Sequence, residues 1–259
     1  MEQATSGRRL TGQPGATLEV HDELASTNDR ATALAAEGAP EGSLVVARRQ
    51  TAGRGRHGRP WASPPGGLYA SLVLRPDEAM LRRLPATLLA GLAVAEAIDA
   101  TTPGARAELK WPNDVHLGGR KVSGILGELT RDARGPLLVL GLGVNVSTDP
   151  AALPADLQAT ATSIAAACGA APGPEVLLGA FLERFEAHYD AVRQGGGATI
   201  LAAASARMPA LGKPVRVRLV DRVLEGTAAG LNATGGLVVE ADGRRETVVA
   251  GEVEEVRPA

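Results

Sequence analysis

Two short stretches carry residue types that could do chemistry. Residues 50 to 61, QTAGRGRHGRPW, set Arg54, Arg56 and Arg59 among glycines, with His57 and Trp61 close by. Residues 109 to 129, LKWPNDVHLGGRKVSGILGEL, place Lys110 and Lys121 on either side of a Pro-Asn-Asp turn. Glycine allows positive φ, which lets successive backbone N–H groups converge on an anion. Arginine adds forked, permanently charged donors that match phosphate and carboxylate. The first stretch therefore fits a loop that closes over an anionic ligand. It also fits a solvated turn or an Arg-Gly contact to RNA. It is not GxxxxGK[ST], so it is no P-loop.

In the second stretch, the two lysines would bring ammonium groups to one sheet face. Asn113 and Asp114 supply oxygens, and Asp114 could hold a magnesium ion that bridges phosphates. Gly124 and Gly127 would let a ligand approach the backbone closely. A plain surface hairpin is the competing reading. Scarcity bears on that choice: the 27 basic residues include only three lysines, Lys110, Lys121 and Lys213. Both tryptophans, Trp61 and Trp111, also fall in these stretches. Lysine and arginine are not interchangeable, so lysines in an arginine-rich chain mark positions where a compact ammonium is wanted.

Two weaker candidates complete the set. Ser26-Thr27-Asn28-Asp29 reads as a helix N-cap, or as a hydroxyl and amide head for a small polar ligand. GLGVNV, residues 141 to 146, is an apolar strand carrying Asn145; it is not GxGxxG at a strand-to-helix turn. Cys168 is alone, which excludes an internal disulfide and suits a reducing cytoplasm. His21, His57, His116 and His188 show no metal-ligand spacing. No GxSxG motif or paired cysteine and histidine offers an enzyme nucleophile.

The elements that would position these residues follow from periodicity and turn signals. Strands are expected at Leu18–His21, Leu44–Ala47 and Leu68–Leu74, around a helix begun by Ser26 and closed at Gly38. The apolar window Leu84–Ala100 is interrupted by Glu96 and Asp99, so it reads as a core-facing helix and not a membrane span. Strands at Glu108–Trp111, Asp114–Leu117, Lys121–Thr130 and Pro136–Val146 come next. Helices are then expected at Thr162–Ala171, Pro174–Arg193 and Ala198–Arg207. After Met208 come VRVRLV, LEGTAAGL, GGLVVEA, RETVVAGEV and EEVRP, the texture of a small β-barrel of roughly fifty residues. Residues 1 to 15 are polar, without a signal peptide's apolar core, and read as a disordered tail.

Taken together, STN, QTAGRGRHGRPW, KWPNDV, RKVSGILGE, GLGVNV with ATSI, and AGEV resemble the biotin protein ligases in order and spacing. The resemblance runs from about residue 16 to the C-terminus. It implies a class II aminoacyl-tRNA-synthetase-like α/β (α+β) domain, a mixed sheet flanked by helices, over 16–208. A Src-homology-3-like barrel is expected over 209–259. It implies two chemical steps: biotin and ATP form biotinyl-5′-adenylate, and a lysine of a biotin carboxyl carrier domain then takes the biotinyl group.

By that resemblance Ser26, Thr27, Asn28, Gln50, Arg54, Gly55, Arg56, Lys121 and Gly124 bind biotin. Arg56, Arg59, Trp61, Lys110, Asn113, Asp114, Lys121 and Asn145 serve ATP and the adenylate. Lys121, Arg56, Lys110 and Asp114 act in the chemistry, with Mg²⁺ carried by Asp114 and the phosphates. A lipoate or octanoate ligase shares the fold, and a single-stranded RNA binder could use the loop. RNA binding wants aromatic platforms, yet aromatic residues make up only 2% of the chain.

The expected setting is a cytoplasmic monomer or weak homodimer that binds no membrane. Some ligases of this family begin with a helix-turn-helix domain, whereas only about fifteen polar residues precede the ligase-like part here. A net charge of -2 gives no global field for nucleic acid. The purified protein is therefore expected not to retain a labelled operator-like DNA duplex at physiological salt. Retention in a mobility-shift assay would overturn that expectation.

Overall fold

In a computed structural model, the described residues are 1–5, 8–83 and 85–255. Leu84, the start of the expected apolar window, lies outside them, as does the end of the expected EEVRP strand. The elements run in the order α1 (Glu2–Thr5), β1 (Leu18–His21), α2 (Thr27–Ala36), β2 (Leu44–Ala47), β3 (Gly67–Leu74), α3 (Glu78–Leu81), α4 (Ala86–Thr101), β4 (Glu108–Lys110), β5 (Asp114–Leu117), β6 (Arg120–Asp132) and β7 (Gly135–Asn145). Then come α5 (Ile164–Cys168), α6 (Pro174–Arg193), α7 (Gly197–Ala206), β8 (Pro214–Arg218), β9 (Val223–Leu231), β10 (Leu237–Ala241), β11 (Arg244–Val248) and β12 (Glu252–Glu255). The expected helix at Thr162–Ala171 shrinks to α5, because Gly169 in the left-handed region ends it.

Strands β1 to β7 form one sheet in the order β1-β2-β3-β7-β6-β5-β4. β1 and β2 are parallel; the remaining neighbours are antiparallel, so the sheet is mixed. Alternation along the strands divides its two faces. Leu68, Ala70, Leu72 and Leu74 of β3, with Leu138, Leu140, Leu142 and Val144 of β7, join the main core. That core is roofed by α4 and α6. On α6, Leu177, Leu178, Phe181, Leu182, Phe185, Tyr189 and Val192 recur at helical spacing and are buried. Phe181, Phe185 and Tyr189 stack in sequence, with ring centroids 5.5 and 5.7 Å apart. Each such buried ring contributes about 2–3 kcal/mol through area removed from water.

The opposite face carries a smaller cluster. Ala31, Leu34 and Ala35 of α2 pack on Val45, Val73, Leu137 and Val139. Ser26 caps α2, its hydroxyl accepting from the Asp29 N–H at 3.3 Å. Because α2 covers only one end of this face, the rest of it is left for the site.

Two expectations change. The segment before residue 16 is not a free tail. The described residues include α1, and Leu10 is fully buried. The Glu186 carboxylate accepts from the Arg9 and Leu10 backbone N–H groups, each at 3.1 Å, and Arg9 pairs with Asp190 at 2.7 Å. A polar composition hid one apolar anchor and two carboxylate partners more than 170 residues away. The expected C-terminal barrel, in turn, is an open five-stranded sheet in the order β11-β10-β9-β8-β12; among the described residues, β11 and β12 do not pair to close it. Trp111 ties the two sheets together by donating from Nε1 to the Gly235 carbonyl at 2.9 Å.

Leu10→Ala should lower unfolding stability by about 2–4 kcal/mol, the usual range for emptying a buried leucine site. Urea denaturation would show a lower midpoint. An unchanged midpoint would mean that the segment is not seated.

Candidate functional site

Every residue expected to serve biotin, ATP or the chemistry lines one cavity of about 340 Å³ on the sheet face opposite the main core. Register explains why. Lys110, Asp114, Gly124, Gly143 and Tyr69 are successive cross-strand partners, and Leu126, Gly141 and Ser71 form the neighbouring row. Their sequence neighbours Leu109, Val115, Ile125, Leu142 and Val144 point to the core.

Strict alternation would send Lys121 to the core side, three residues from Gly124. The β5–β6 register slips once, so that Val115 faces Ser123 but His116 faces Lys121. That extra residue, a β-bulge, returns Lys121 to the site face. There its Nζ pairs with Asp114 at 2.6 Å and lies 5.3 Å from the Trp61 ring centroid.

The glycines make room for side chains of this chain. A Cβ on Gly143 would stand 2.4 Å from Trp61 Nε1, and one on Gly124 3.0 Å from the same ring. A Cβ on Gly141 would meet Asn28 Oδ1 at 2.0 Å. Trp61 thus lies across the Gly124–Gly143 pair, and Asn28 sits over Gly141. Gly127, expected at a ligand, instead faces Thr87 on the core side.

Beneath Trp61 runs a chain of polar groups. The Thr27 N–H donates to Gln50 Oε1 at 2.8 Å, with the Thr27 hydroxyl 3.1 Å from the same oxygen, and Gln50 Nε2 donates to Ser63 at 2.9 Å. Ser71, fully buried, lies 2.8 Å from the Thr27 hydroxyl and 2.6 Å from Asn28 Oδ1. Sequence reasoning missed Ser71: one serine in an apolar strand gave no signal beyond being a polar residue on a buried face.

The Gly/Arg loop differs from expectation in its backbone. His57 (φ 57) and Gly58 (φ 72) carry the positive φ angles, and Gly55 is extended. The Gly55 N–H is spent on the Arg59 carbonyl at 2.7 Å, and the Trp61 N–H on the Gly53 carbonyl at 2.8 Å. The loop is a hairpin closed by these backbone contacts, with the side chains of Arg54, Arg56 and Arg59 projecting from it.

The three arginines are not equivalent. Arg54 is held by Glu128 and by Asp29. Arg59 pairs with Glu252 of β12. Arg56 has no carboxylate partner among the described residues; its guanidinium donates to Asn113 Oδ1 at 3.2 Å and to the Gly251 carbonyl at 3.4 Å. Burial lowers the Arg56 pKa, against the attraction of Asp114, because a desolvated cation is costly. Glu128 and Glu252 fall inside the RKVSGILGE and AGEV stretches but were given no role from sequence, because their arginine partners lie far away in the chain.

Elsewhere, Asn113 Nδ2 donates to the Ile125 carbonyl at 2.8 Å, which fixes the Pro-Asn-Asp turn against β6. Asn145 Nδ2 donates to the Thr162 carbonyl at 3.0 Å. Asn145 Oδ1 and Trp61 Nε1 are buried without a partner among the described residues. Lys110 is exposed at the mouth. Among the described residues no cluster of three or more His, Cys, Asp or Glu could hold a metal by itself. Gly143→Ala should therefore displace Trp61, at a cost of about 1–3 kcal/mol. Trp111 is only 6% exposed, so a rise in acrylamide quenching of tryptophan emission would report Trp61. Unchanged quenching would contradict this packing.

Comparison with known proteins agrees with the geometry. The Biotin/lipoate A/B protein ligase family matches residues 22–145, and the Biotin protein ligase C terminal domain matches residues 210–254. A biotin--[acetyl-CoA-carboxylase] ligase from Paracoccus denitrificans is 37% identical, over 88% of this chain and 96% of that protein. The bifunctional ligase/repressor BirA of Bacillus subtilis is 35% identical, over 93% of this chain and 74% of that protein. Among solved structures, the biotin protein ligase from Aquifex aeolicus in complex with biotin and ATP superposes with a TM-score of 0.81. It is 31% identical and covers 93% of this chain and 99% of that one. With its motifs gathered in one cavity and relatives of this identity and coverage, the chain belongs to the biotin protein ligase family.

Proposed function

We propose that this protein attaches biotin to a specific lysine of a biotin carboxyl carrier domain, as the name of the Paracoccus relative describes for an acetyl-CoA carboxylase. The observation that carries the site assignment is the cavity itself. A neutral hydrogen-bonding chain lies at one end, the Trp61 indole walls the middle, and the half-buried Arg56 guanidinium lies with Lys121 toward the other. Biotin has that polarity, with a ureido ring at one end and a carboxylate at the other.

Ser26, Thr27, Asn28 and Gln50 face the ureido ring, while Gly124 and Trp61 bound the apolar middle. A carboxylate oxygen of biotin attacks the α-phosphate of ATP. A C–O–P mixed anhydride forms and the bond to pyrophosphate breaks. Arg56 and Lys121 hold the carboxylate and phosphate oxygens together as charge develops between them. Lys110 at the mouth and Asn113 in the turn serve the nucleotide, and Trp61 and Asn145 wall the space for the adenylate.

In the second step the amine of the carrier lysine attacks the anhydride carbonyl. An amide forms, AMP leaves, and the amine's proton passes to solvent. No enzyme nucleophile is required, in keeping with a cavity that contains no cysteine or histidine. A closed loop keeps water off the anhydride until the carrier arrives.

Magnesium brought with ATP needs only one or two carboxylates plus phosphate oxygens. Asp114, the carboxylate beside Lys121 in the cavity, fits that demand; the ion would draw charge from the leaving pyrophosphate. Residues 16–208 act as the catalytic unit, with 209–259 as a second domain whose Gly251 and Glu252 line the nucleotide side of the cavity. No helix among the described residues is long and apolar enough to cross a membrane. We place the enzyme in the cytoplasm as a monomer or weak homodimer that does not bind DNA; the single cysteine and the lack of a basic field support this.

ATP–pyrophosphate exchange is expected with biotin and not with lipoate, and Lys121→Ala should reduce it by about 10²-fold or more. Exchange with lipoate alone would keep the fold and change the substrate. No exchange with any acid, from folded protein, would contradict the ligase reading.

A further inference from the structure

Glu128 has no part in the roles above, yet from β6 it touches two other elements of the site, the Gly/Arg loop and α2. It lies on the site face of β6, opposite Val139 and two residues beyond Leu126. Its Oε1 accepts from Arg54 Nη1 at 2.9 Å, and its Oε2 from Arg54 Nη2 at 3.1 Å. The same Oε2 accepts from Asn28 Nδ2 at 2.7 Å. We propose that Glu128 is a positioning residue: one carboxylate latches the stem of the Gly/Arg loop through Arg54 and orients the Asn28 amide on the floor of the biotin pocket. The substrate in this proposal rests on the biotin-ligase reading; the latch itself does not.

Hydrogen-bond direction makes the Asn28 half of the argument. An ionised carboxylate only accepts, so it must face the NH₂ side of an amide. That leaves Asn28 Oδ1 turned toward the Ser71 hydroxyl, 2.6 Å away. With Ser71's proton given to Asn28, the Thr27 hydroxyl donates to Ser71, the Thr27 N–H donates to Gln50, and the Gln50 amide donates to Ser63. The orientation of the first member of the chain is thus set from β6, across the pocket floor. Asn28 is 5% exposed, and a Cβ on Gly141 would collide with it. Tight packing holds the amide in place, and the acceptor-only carboxylate decides which of its two ends faces β6.

Charge makes the Arg54 half. The guanidinium meets two carboxylates, Glu128 in a two-pronged contact and Asp29 at 2.5 Å. The cluster of one cation and two anions is net negative, which opposes a further anion from biotin or phosphate. In this proposal the Arg54 side chain, expected from sequence to bind biotin, has a structural role: it fixes the loop stem so that Arg56 is presented correctly. The pair is partly exposed, with side-chain exposures of 40% and 31%. Water competes with such a contact, so the latch biases the loop toward closure while leaving it able to open.

The loop carries its own reporter: Arg56 is half-buried and held by Asn113 and Gly251, so tryptic cleavage of the Arg56–His57 bond should quicken as the loop opens. Glu128→Gln, Arg54→Gln and the double variant would be compared with the unmodified protein. One readout is tryptic cleavage at Arg56–His57; the other is KM for biotin and kcat in ATP–pyrophosphate exchange. Both single variants should be cut about 3- to 10-fold faster, as expected when one local closing contact is lost. Their biotin KM should rise by a similar factor while kcat falls less. The double variant should be no worse than the more affected single one, because both changes break the same contact.

Unchanged cleavage in both single variants would overturn the latch. So would losses that multiply in the double variant, or an Arg54→Gln effect confined to kcat, which would return Arg54 to the reacting anion. If Glu128→Gln fails to fold, Arg54→Gln still breaks the contact from the loop side, by the same readouts. Cleavage needs no substrate, so an absence of exchange in the unmodified protein would count against the biotin reading and leave the latch to be judged on proteolysis.

Discussion

Everything at the site depends on one break in the alternation of a strand. Along β6, Gly124, Leu126 and Glu128 face the cavity by ordinary period-two geometry. Lys121 faces it only because the register against β5 slips by one residue between Val115 and His116. Without that bulge the lysine would point into a core of Leu109, Val115 and Ile125, where a charge would be intolerable. With it, Lys121 stands beside Asp114 and over Trp61. The same strand thus supplies the cation, the space for the indole and the loop's anchor.

Around that strand, positive charge is sorted by its carboxylate neighbours. The loop contains three arginines within six residues, 54 to 59. Two have carboxylate partners, Arg54 in Glu128 and Asp29, and Arg59 in Glu252 of the second sheet. Arg56 is left half-buried with only neutral acceptors, the Asn113 side chain and the Gly251 carbonyl. A cation that has lost water and found no anion interacts strongly with an anionic ligand. The flanking pairs hold the loop at its stem and beyond its tip, and they leave its middle charge without a carboxylate partner among the described residues.

Much of this was legible in the sequence, for reasons that can be stated. Two scarce lysines, glycines spaced along strands and a Pro-Asn-Asp turn are local signals, and apart from Gly127 their positions reached the same cavity. The strand order, the bulge and the partners of each arginine are not local. Glu128 is one glutamate in a strand, and its meaning depends on Arg54 arriving from 74 residues away. Glycine in the loop suggested positive φ, but the residue that adopts it together with Gly58 is His57, because the hairpin closes through the Gly55 N–H. The N-terminal segment read as disordered because composition cannot show that Glu186 and Asp190 wait on α6 for Arg9 and Leu10. The C-terminal strands read correctly as strands, but closure into a barrel is a property of pairing that composition does not carry.

The central claim is that the loop's three arginines divide their work, with Arg56 alone serving the reacting anion. Rapid-quench measurement of adenylate formation in a single turnover, at saturating biotin and ATP, tests it on Arg54→Gln, Arg56→Gln and Arg59→Gln. The account predicts that Arg56→Gln slows the chemical step by about 10²- to 10³-fold, the scale of losing a charge stabiliser. The other two variants should chiefly raise the concentrations needed for saturation. Equal slowing in all three, or a chemical step left intact in Arg56→Gln, would contradict it.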